Sequence, residues 1–328
     1  MEQRKRKIAV LTSGGDAPGL NACINAVVRT AIYYNYSVLG VRDGYEGLIT
    51  GRVMKLDLTD VNDIIHLGGT ILKTSRSEQF KIKEGRLLAY EQLKQKDIDH
   101  LIVIGGDGSL KGASIFSKEY NDISIIGIPK TIDNDISGTD YSIGYDTALN
   151  TAVSAVDKLR DTAESHNRIF IVEVMGRDAG YIAYGTGLAT GAEGILIPET
   201  HMDHVYLLDN LRRNWHEKRS SLILIVAEGD ETGGARRVAE EITNYLGNKE
   251  IRISILGHIQ RGGSPTAFDR ILATQLGNMA VTFLNKGAKN VMVGFQRQEI
   301  ITIPLKDVGR RSMSLNEKAL KLLEIMTS

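Results

Sequence analysis

The chain has 328 residues, 42% of them apolar, and 40 basic side chains against 40 acidic ones, so bulk charge points to neither nucleic acid nor membrane and the length calls for two lobes. A single cysteine, Cys23, excludes an internal disulfide and any multi-cysteine metal site, reads as a small buried apolar residue, and places the protein in a reducing cytoplasm. The longest apolar run, Leu222 to Ala227, is too short to span a bilayer, and Ile8 to Leu11 after the basic N-terminus is a strand rather than a signal sequence.

Taken along the chain, β-branched apolar runs predict strands at Ile8–Leu11, Val38–Val41, Leu101–Ile104, Ile123–Ile128, Ile169–Val174, Leu222–Ala227, Ile251–Leu256 and Val291–Gly294. Helical spacing separates them, most clearly over Asn21–Tyr34 and Thr147–Thr162. The alternation predicts an α/β protein of two doubly wound, mainly parallel-sheet domains. No Pro/Ser-rich linker divides the lobes, so ligands have to define them. In open α/β sheets ligands sit beyond the carboxyl ends of strands, which directs attention to the loops that follow.

The loop Thr12-Ser13-Gly14-Gly15-Asp16 opens a helix near Pro18 to Asn21 and presents backbone amides, as an anion site does; a tight turn that needs glycine only for geometry is the alternative. Gly105-Gly106-Asp107-Gly108-Ser109 offers amides and one carboxylate suited to Mg²⁺ beside phosphates. It fits neither a Walker loop nor a dinucleotide fingerprint, because no Gly-Lys dipeptide occurs and Gly112 is mis-spaced by one residue. In Lys130-Thr131-Ile132-Asp133-Asn134-Asp135 a hydroxyl and two carboxylates follow an apolar strand. Asx-rich turns are common, but this grouping suits a general base with a metal-linked acid, as phosphoryl transfer requires.

With Met175-Gly176-Arg177 and Gly257-His258-Ile259-Gln260-Arg261-Gly262-Gly263, these strings in this order resemble the bacterial 6-phosphofructokinase family from Ile8 through Asp269. The resemblance implies a Mg-ATP site formed by Gly15, Arg76, Ser77 and Gly106 to Ser109, with Asp107 carrying Mg²⁺. It implies Asp133 as the base toward the sugar 1-hydroxyl, with Thr131, Arg177 and Gly15 completing the catalytic set. Asp135, Met175, Gly176, Glu228, His258 and Arg261 would complete the fructose 6-phosphate pocket. Arg168 and Arg252 would reach the 6-phosphate from a neighbouring subunit of a homotetramer. The implied ATP-binding domain is 1–143 plus 259–308, and the sugar-phosphate domain 144–258 plus 309–328.

Two departures qualify the resemblance. Lys130 stands where ATP-using members usually carry glycine and pyrophosphate-using relatives lysine, while Gly108 leaves open the room that an aspartate takes up in those relatives. ATP is therefore expected as donor, with pyrophosphate the alternative. At the implied effector site Arg160, Gly191, Ala192, Glu193 and Arg219 fit, but Asn25, Leu58 and Glu217 replace cations, so a blunted response to ADP or phosphoenolpyruvate is expected. A catalytically silent sensor would be free to lose Asp107, Asp133 or Arg177, and all three are present.

Overall fold

The computed structural model describes residues 4–199, 204–217, 221–229, 233–247 and 249–327. The chain forms two compact units, one of Met1–Ile132, Ile136–Asp146 and Arg261–Arg311, the other of Asp133–Asp135, Thr147–Gln260 and Ser312–Ser328. The sequence-based edges at 143, 258 and 308 differ from these, and residues 133–135 group with the second unit.

The strands are β1 (Lys7–Ser13), β2 (Ser37–Val41), β3 (Val53–Leu56), β4 (His100–Gly105), β5 (Ser124–Pro129), β6 (Ile169–Val174), β7 (Gly194–Leu196), β8 (Leu222–Ala227), β9 (Ile251–Ile255), β10 (Val291–Gln296) and β11 (Glu299–Pro304). The helices are α1 (Leu20–Tyr33), α2 (Gly44–Ile49), α3 (Lys83–Gln95), α4 (Asp107–Glu119), α5 (Tyr145–His166), α6 (Tyr181–Thr190), α7 (His204–Glu217), α8 (Gly234–Leu246), α9 (Ala267–Asn285) and α10 (Glu317–Thr327).

The first unit holds a seven-stranded sheet of order β11-β10-β5-β4-β1-β2-β3, parallel except where β3 and β11 pair antiparallel at its edges. Alternate residues of its central strands feed opposite cores. Ile8, Val10, Ile102, Ile104 and Ile126 pack with Ile24 and Val27 of α1 and Leu272 and Leu276 of α9. Ala9, Leu11, Leu101, Val103 and Ile125 pack on the other face with Leu48 of α2, Leu93 of α3 and Phe116 of α4. Each such aliphatic side chain, fully removed from water, contributes about 1.5–3 kcal/mol. That is why the strands read as unbroken apolar runs instead of alternating ones. Helix α1, behind the Gly19 turn, is covered nearly all round: from Leu20 to Ala31 only Arg29 is exposed.

The second unit holds the all-parallel sheet β7-β8-β6-β9. Its core joins Ile169, Ile171, Leu222, Leu224 and Val226 to Leu211 of α7 and to Val238 and Ile242 of α8.

Both sheets are of the doubly wound type expected. Three strands escaped the sequence reading. β7 is only three residues long, and β3 exposes Met54 and Lys55 at a sheet edge. β11 is joined to β10 by Arg297 and Gln298 at φ 49 and 69, both left-handed, a two-residue turn that an Asn-Gly pair usually supplies.

Candidate active site

In the first unit, β1, β4 and β5 end side by side and deliver their loops to one place. Lys130 is 3% exposed, and its Nζ donates to the carbonyl of Ser13 at 3.2 Å and to that of Gly15. Lys130 N donates to Gly105 O at 3.0 Å, fixing the second loop to the third. A Cβ placed on Gly15 would lie 2.7 Å from Arg261 Nη1, which itself donates to Asp16 O at 3.3 Å. Gly15, Gly105 to Ser109, Lys130 and Arg261 are thus brought together.

Asp107 is the first residue of α4, whose opening amides point out of the helix behind Gly106. A Cβ on Gly108 would meet nothing within 4 Å, so the protein leaves open the position at which the sequence reading puts an aspartate in pyrophosphate-using relatives. Among the described residues no group of three or more His, Cys, Asp or Glu side chains could hold a metal ion. Asp107 offers a single carboxylate, a donor set that fits Mg²⁺ bound chiefly by phosphates and water. Its Oδ2 lies 3.4 Å from Arg310 Nε, a cation that sequence reasoning did not assign.

Arg76 is exposed, whereas the hydroxyl of Ser77 donates to Glu46 Oε2 at 2.7 Å and accepts from Phe80 N at 3.1 Å. Ser77 thereby caps the turn at Gln79–Lys81 with the same hydroxyl that the sequence reading gave to nucleotide. Thr131 is half-buried, and its carbonyl accepts from the Ser142 hydroxyl at 2.7 Å.

The second unit contains the carboxylates. Asp133 and Asp135 are 9% and 8% exposed, and Asn134 between them turns the chain at φ 52. Loops after β6, β8 and β9 meet at the carboxyl end of the smaller sheet. Arg177 N donates to Glu228 Oε1 at 3.0 Å, Glu228 N to Val174 O at 2.9 Å, and Met175 N to Gln260 Oε1 at 3.3 Å. Met175 and Gly176 are buried, and Arg177 and His258 expose their side chains. Backbones approach so closely here that a Cβ on Gly229 would lie 1.6 Å from Arg177 O. Gln260, wholly buried, ties two of the loops; the sequence reading quoted it inside a motif without giving it a task.

Arg168 and Arg252 lie at the opposite, amino end of that sheet, where Phe170 pairs with Arg252. Arg168 Nε is 2.8 Å from Glu250 Oε1, and Arg252 pairs with the same carboxylate. The Arg168 guanidinium holds the Glu250 carboxyl below its usual range, with the charge of Arg252 adding to the effect. A strand rise of about 3.3 Å per residue puts roughly 20 Å between these arginines and the Met175 to Arg177 loop. Within one chain the structure does not bring the two groups together.

At the implied effector site Arg160 donates to Glu193 Oε1 at 3.2 Å and to the carbonyls of Thr190 and Gly191, both at 3.1 Å. Glu193 also accepts from Ile223 N at 2.8 Å, and Ala192 is buried beside it. Arg219 lies outside the described residues.

The phosphofructokinase family model matches residues 7–284. The chain is 49% identical over 317 residues to ATP-dependent 6-phosphofructokinase 2 of Bacteroides thetaiotaomicron, covering 97% of each chain. It is 48% identical to ATP-dependent 6-phosphofructokinase 1 of Thermus thermophilus, covering 98% of this chain and 99% of that one. Among solved structures, Pichia pastoris phosphofructokinase in the T-state superposes with a TM-score of 0.87 at 37% identity over 94% of this chain, which spans 36% of the yeast one. The chain belongs to the phosphofructokinase family.

Proposed function

We propose that the chain is an ATP-dependent 6-phosphofructokinase, which transfers the γ-phosphoryl group of Mg-ATP to the 1-hydroxyl of fructose 6-phosphate. The observation that carries this reading is near-full-length identity of 49% to an ATP-dependent member, with the whole motif series in place. Asp133 takes the hydroxyl proton as the sugar oxygen bonds to phosphorus and the bond from phosphorus to the ADP oxygen breaks. Arg177, Thr131 and the Gly15 backbone meet the charge that develops on the moving phosphoryl group. Asp107 would hold Mg²⁺, which would supply charge neutralisation to the nucleotide phosphates. Gly106 to Ser109, Arg76 and Ser77 seat the nucleotide, while Asp135, Met175, Gly176, Glu228, His258 and Arg261 seat the sugar phosphate.

The separation of Arg168 and Arg252 from the other sugar residues supports their serving a neighbouring chain's site, and hence a homotetramer. No helix among the described residues is long and apolar enough to cross a membrane, and we place the enzyme in the cytoplasm. The pairing of Arg160 with Glu193 supports a blunted effector response. ADP at subsaturating sugar phosphate should change the rate by less than about twofold, since a site with fewer cations gains little from an added anion.

The deciding experiment assays fructose 1,6-bisphosphate formation with Mg-ATP and then with Mg-pyrophosphate. Product from ATP is expected, and product from pyrophosphate alone would overturn the donor. Asp133→Asn should lower kcat by about 10²–10⁴ while fructose 6-phosphate still binds, the usual yield of a positioned base.

A further inference from the structure

Residues 66–77 contain no helix or strand, yet they carry Arg76 and Ser77, two of the residues proposed to seat the nucleotide. A segment of this kind has no ladder of its own to hold it, and exposed backbone that is not tied down samples many conformations. Residues 67–73 are tied down by side chains that belong to β1 and α1, and Thr74 and Ser75 by their own hydroxyls and the backbone beside them.

Asn21 is 1% exposed and spends its amide entirely on the segment. Its Nδ2 donates to Leu67 O at 3.1 Å and Gly68 O at 3.2 Å, and its Oδ1 accepts from Ile71 N at 2.8 Å. Thr12, fully buried, donates to Lys73 O at 2.8 Å and meets the Thr70 hydroxyl at 3.2 Å. Farther on, the Thr74 hydroxyl donates to Gly14 O at 2.8 Å, and Gly14 N donates to Ser75 O at 3.3 Å. The Ser75 hydroxyl then donates to Asp43 O at 2.7 Å. The bonds run toward Arg76; those of Thr74 and of the Ser75 carbonyl reach Gly14, beside Gly15, and the Ser75 hydroxyl ends on Asp43.

We infer that Thr12 and Asn21 are positioning residues for the phosphoryl donor: together they strap residues 67–73 onto β1 and α1, and so set where the following residues, Arg76 among them, stand relative to the Gly14-Gly15 loop. The inference rests on the ATP-site reading of that loop. Neither residue touches substrate; each acts through backbone that it holds. Side chains carry the strap because an amide or a hydroxyl at a fixed point on a helix or strand returns a coil segment to the same place after every turnover. A purely structural role would weaken the whole enzyme evenly, whereas a strap that sets Arg76 acts on the donor first.

The test compares Thr12→Val, Thr12→Ser and Asn21→Ala with the wild type. The measurements are KM for ATP, KM for fructose 6-phosphate, and calorimetric affinity for Mg-ADP without sugar. Thr12→Val should raise KM for ATP and weaken ADP binding by about tenfold, with KM for fructose 6-phosphate moving less than about twofold, as expected when one positioning contact is lost. Thr12→Ser, which keeps the hydroxyl, should restore both donor constants. Asn21→Ala should act in the same direction as Thr12→Val, and if it does not fold the Thr12 pair decides alone. Unchanged ADP affinity in Thr12→Val, equal movement of both KM values, or a Thr12→Ser variant as impaired as Thr12→Val would overturn the inference. A wild type that makes no fructose 1,6-bisphosphate from ATP would instead overturn the functional reading, leaving the ADP comparison to decide the strap on its own.

Discussion

Lys130 shows how a single residue can carry more than one message. From sequence it stands at a position that separates donor classes in the resembled family. In the structure its ammonium is buried against the carbonyls of Ser13 and Gly15, so it binds the first loop to the third. A cation committed to backbone oxygens neutralises partial charges within the protein and has less to give an incoming phosphate. Lys130→Met should therefore destabilise the protein by about 1–3 kcal/mol, the cost of leaving a buried acceptor without its donor. It should leave ATP as the preferred donor. Thermal melts and the ratio of kcat/KM for ATP to that for pyrophosphate check the two halves, and a reversed ratio would return donor choice to Lys130. What the sequence could show here was the residue type in its motif. Its partners were hidden, because contacts between the ends of β1 and β5 leave no local pattern.

At the scale of elements, two features of the larger sheet give opposite signs. Helices α1 and α9 pack so closely that a Cβ on Gly277 would lie 2.7 Å from Cys23 O and 2.9 Å from Ala26 Cβ. Helix propensity alone favours Gly277→Ala by about 1 kcal/mol. The obstacle is backbone and a buried methyl, neither of which can swing away, so crowding should win and the variant should lose about 1–3 kcal/mol, visible as a lower melting temperature. His100 opens β4, 9% exposed and edge-on to Tyr36, and among the described residues neither ring nitrogen has a hydrogen-bond partner. Burial pushes its pKa down to about 4, with the charges of Arg6 and Lys289 acting the same way and that of Asp99 opposing them. The folded state thus prefers the neutral ring. The stabilisation is complete above pH 6.5 and is lost as pH falls toward 4, about 3 kcal/mol in all. His100→Phe should flatten the acid limb of a stability curve over that range, and an unchanged limb would place the loss elsewhere. The strands around these sites were legible because parallel strands buried on both faces are uninterrupted apolar runs. β11 and its turn were not, because Arg297-Gln298 adopts left-handed geometry that its residue types do not advertise.

For the molecule as a whole, the sequence disclosed the two sheets and the motif loops but could not say which loops share a strand end. Arg168 and Arg252 were assigned to the sugar phosphate by resemblance, and within their own unit they stand across the sheet from Met175 to Arg177. A strand cannot bend its two ends together, so on the proposed assignment these arginines would serve a phosphate on another copy of the chain. In an isologous pair the exchange would be reciprocal, each chain lending its arginines to its partner. Asp133→Asn and Arg252→Ala variants should each be nearly inactive alone. When the two are denatured together at equal amounts and refolded, sites that combine Asp133 from one chain with Arg252 from the other should reappear at about a quarter of the wild-type number by random pairing. Activity that stays at the level of the separate variants would mean that each chain completes its own site. Titrating the mixing ratio sharpens the test, because shared sites give a maximum at equal proportions and self-contained sites give none.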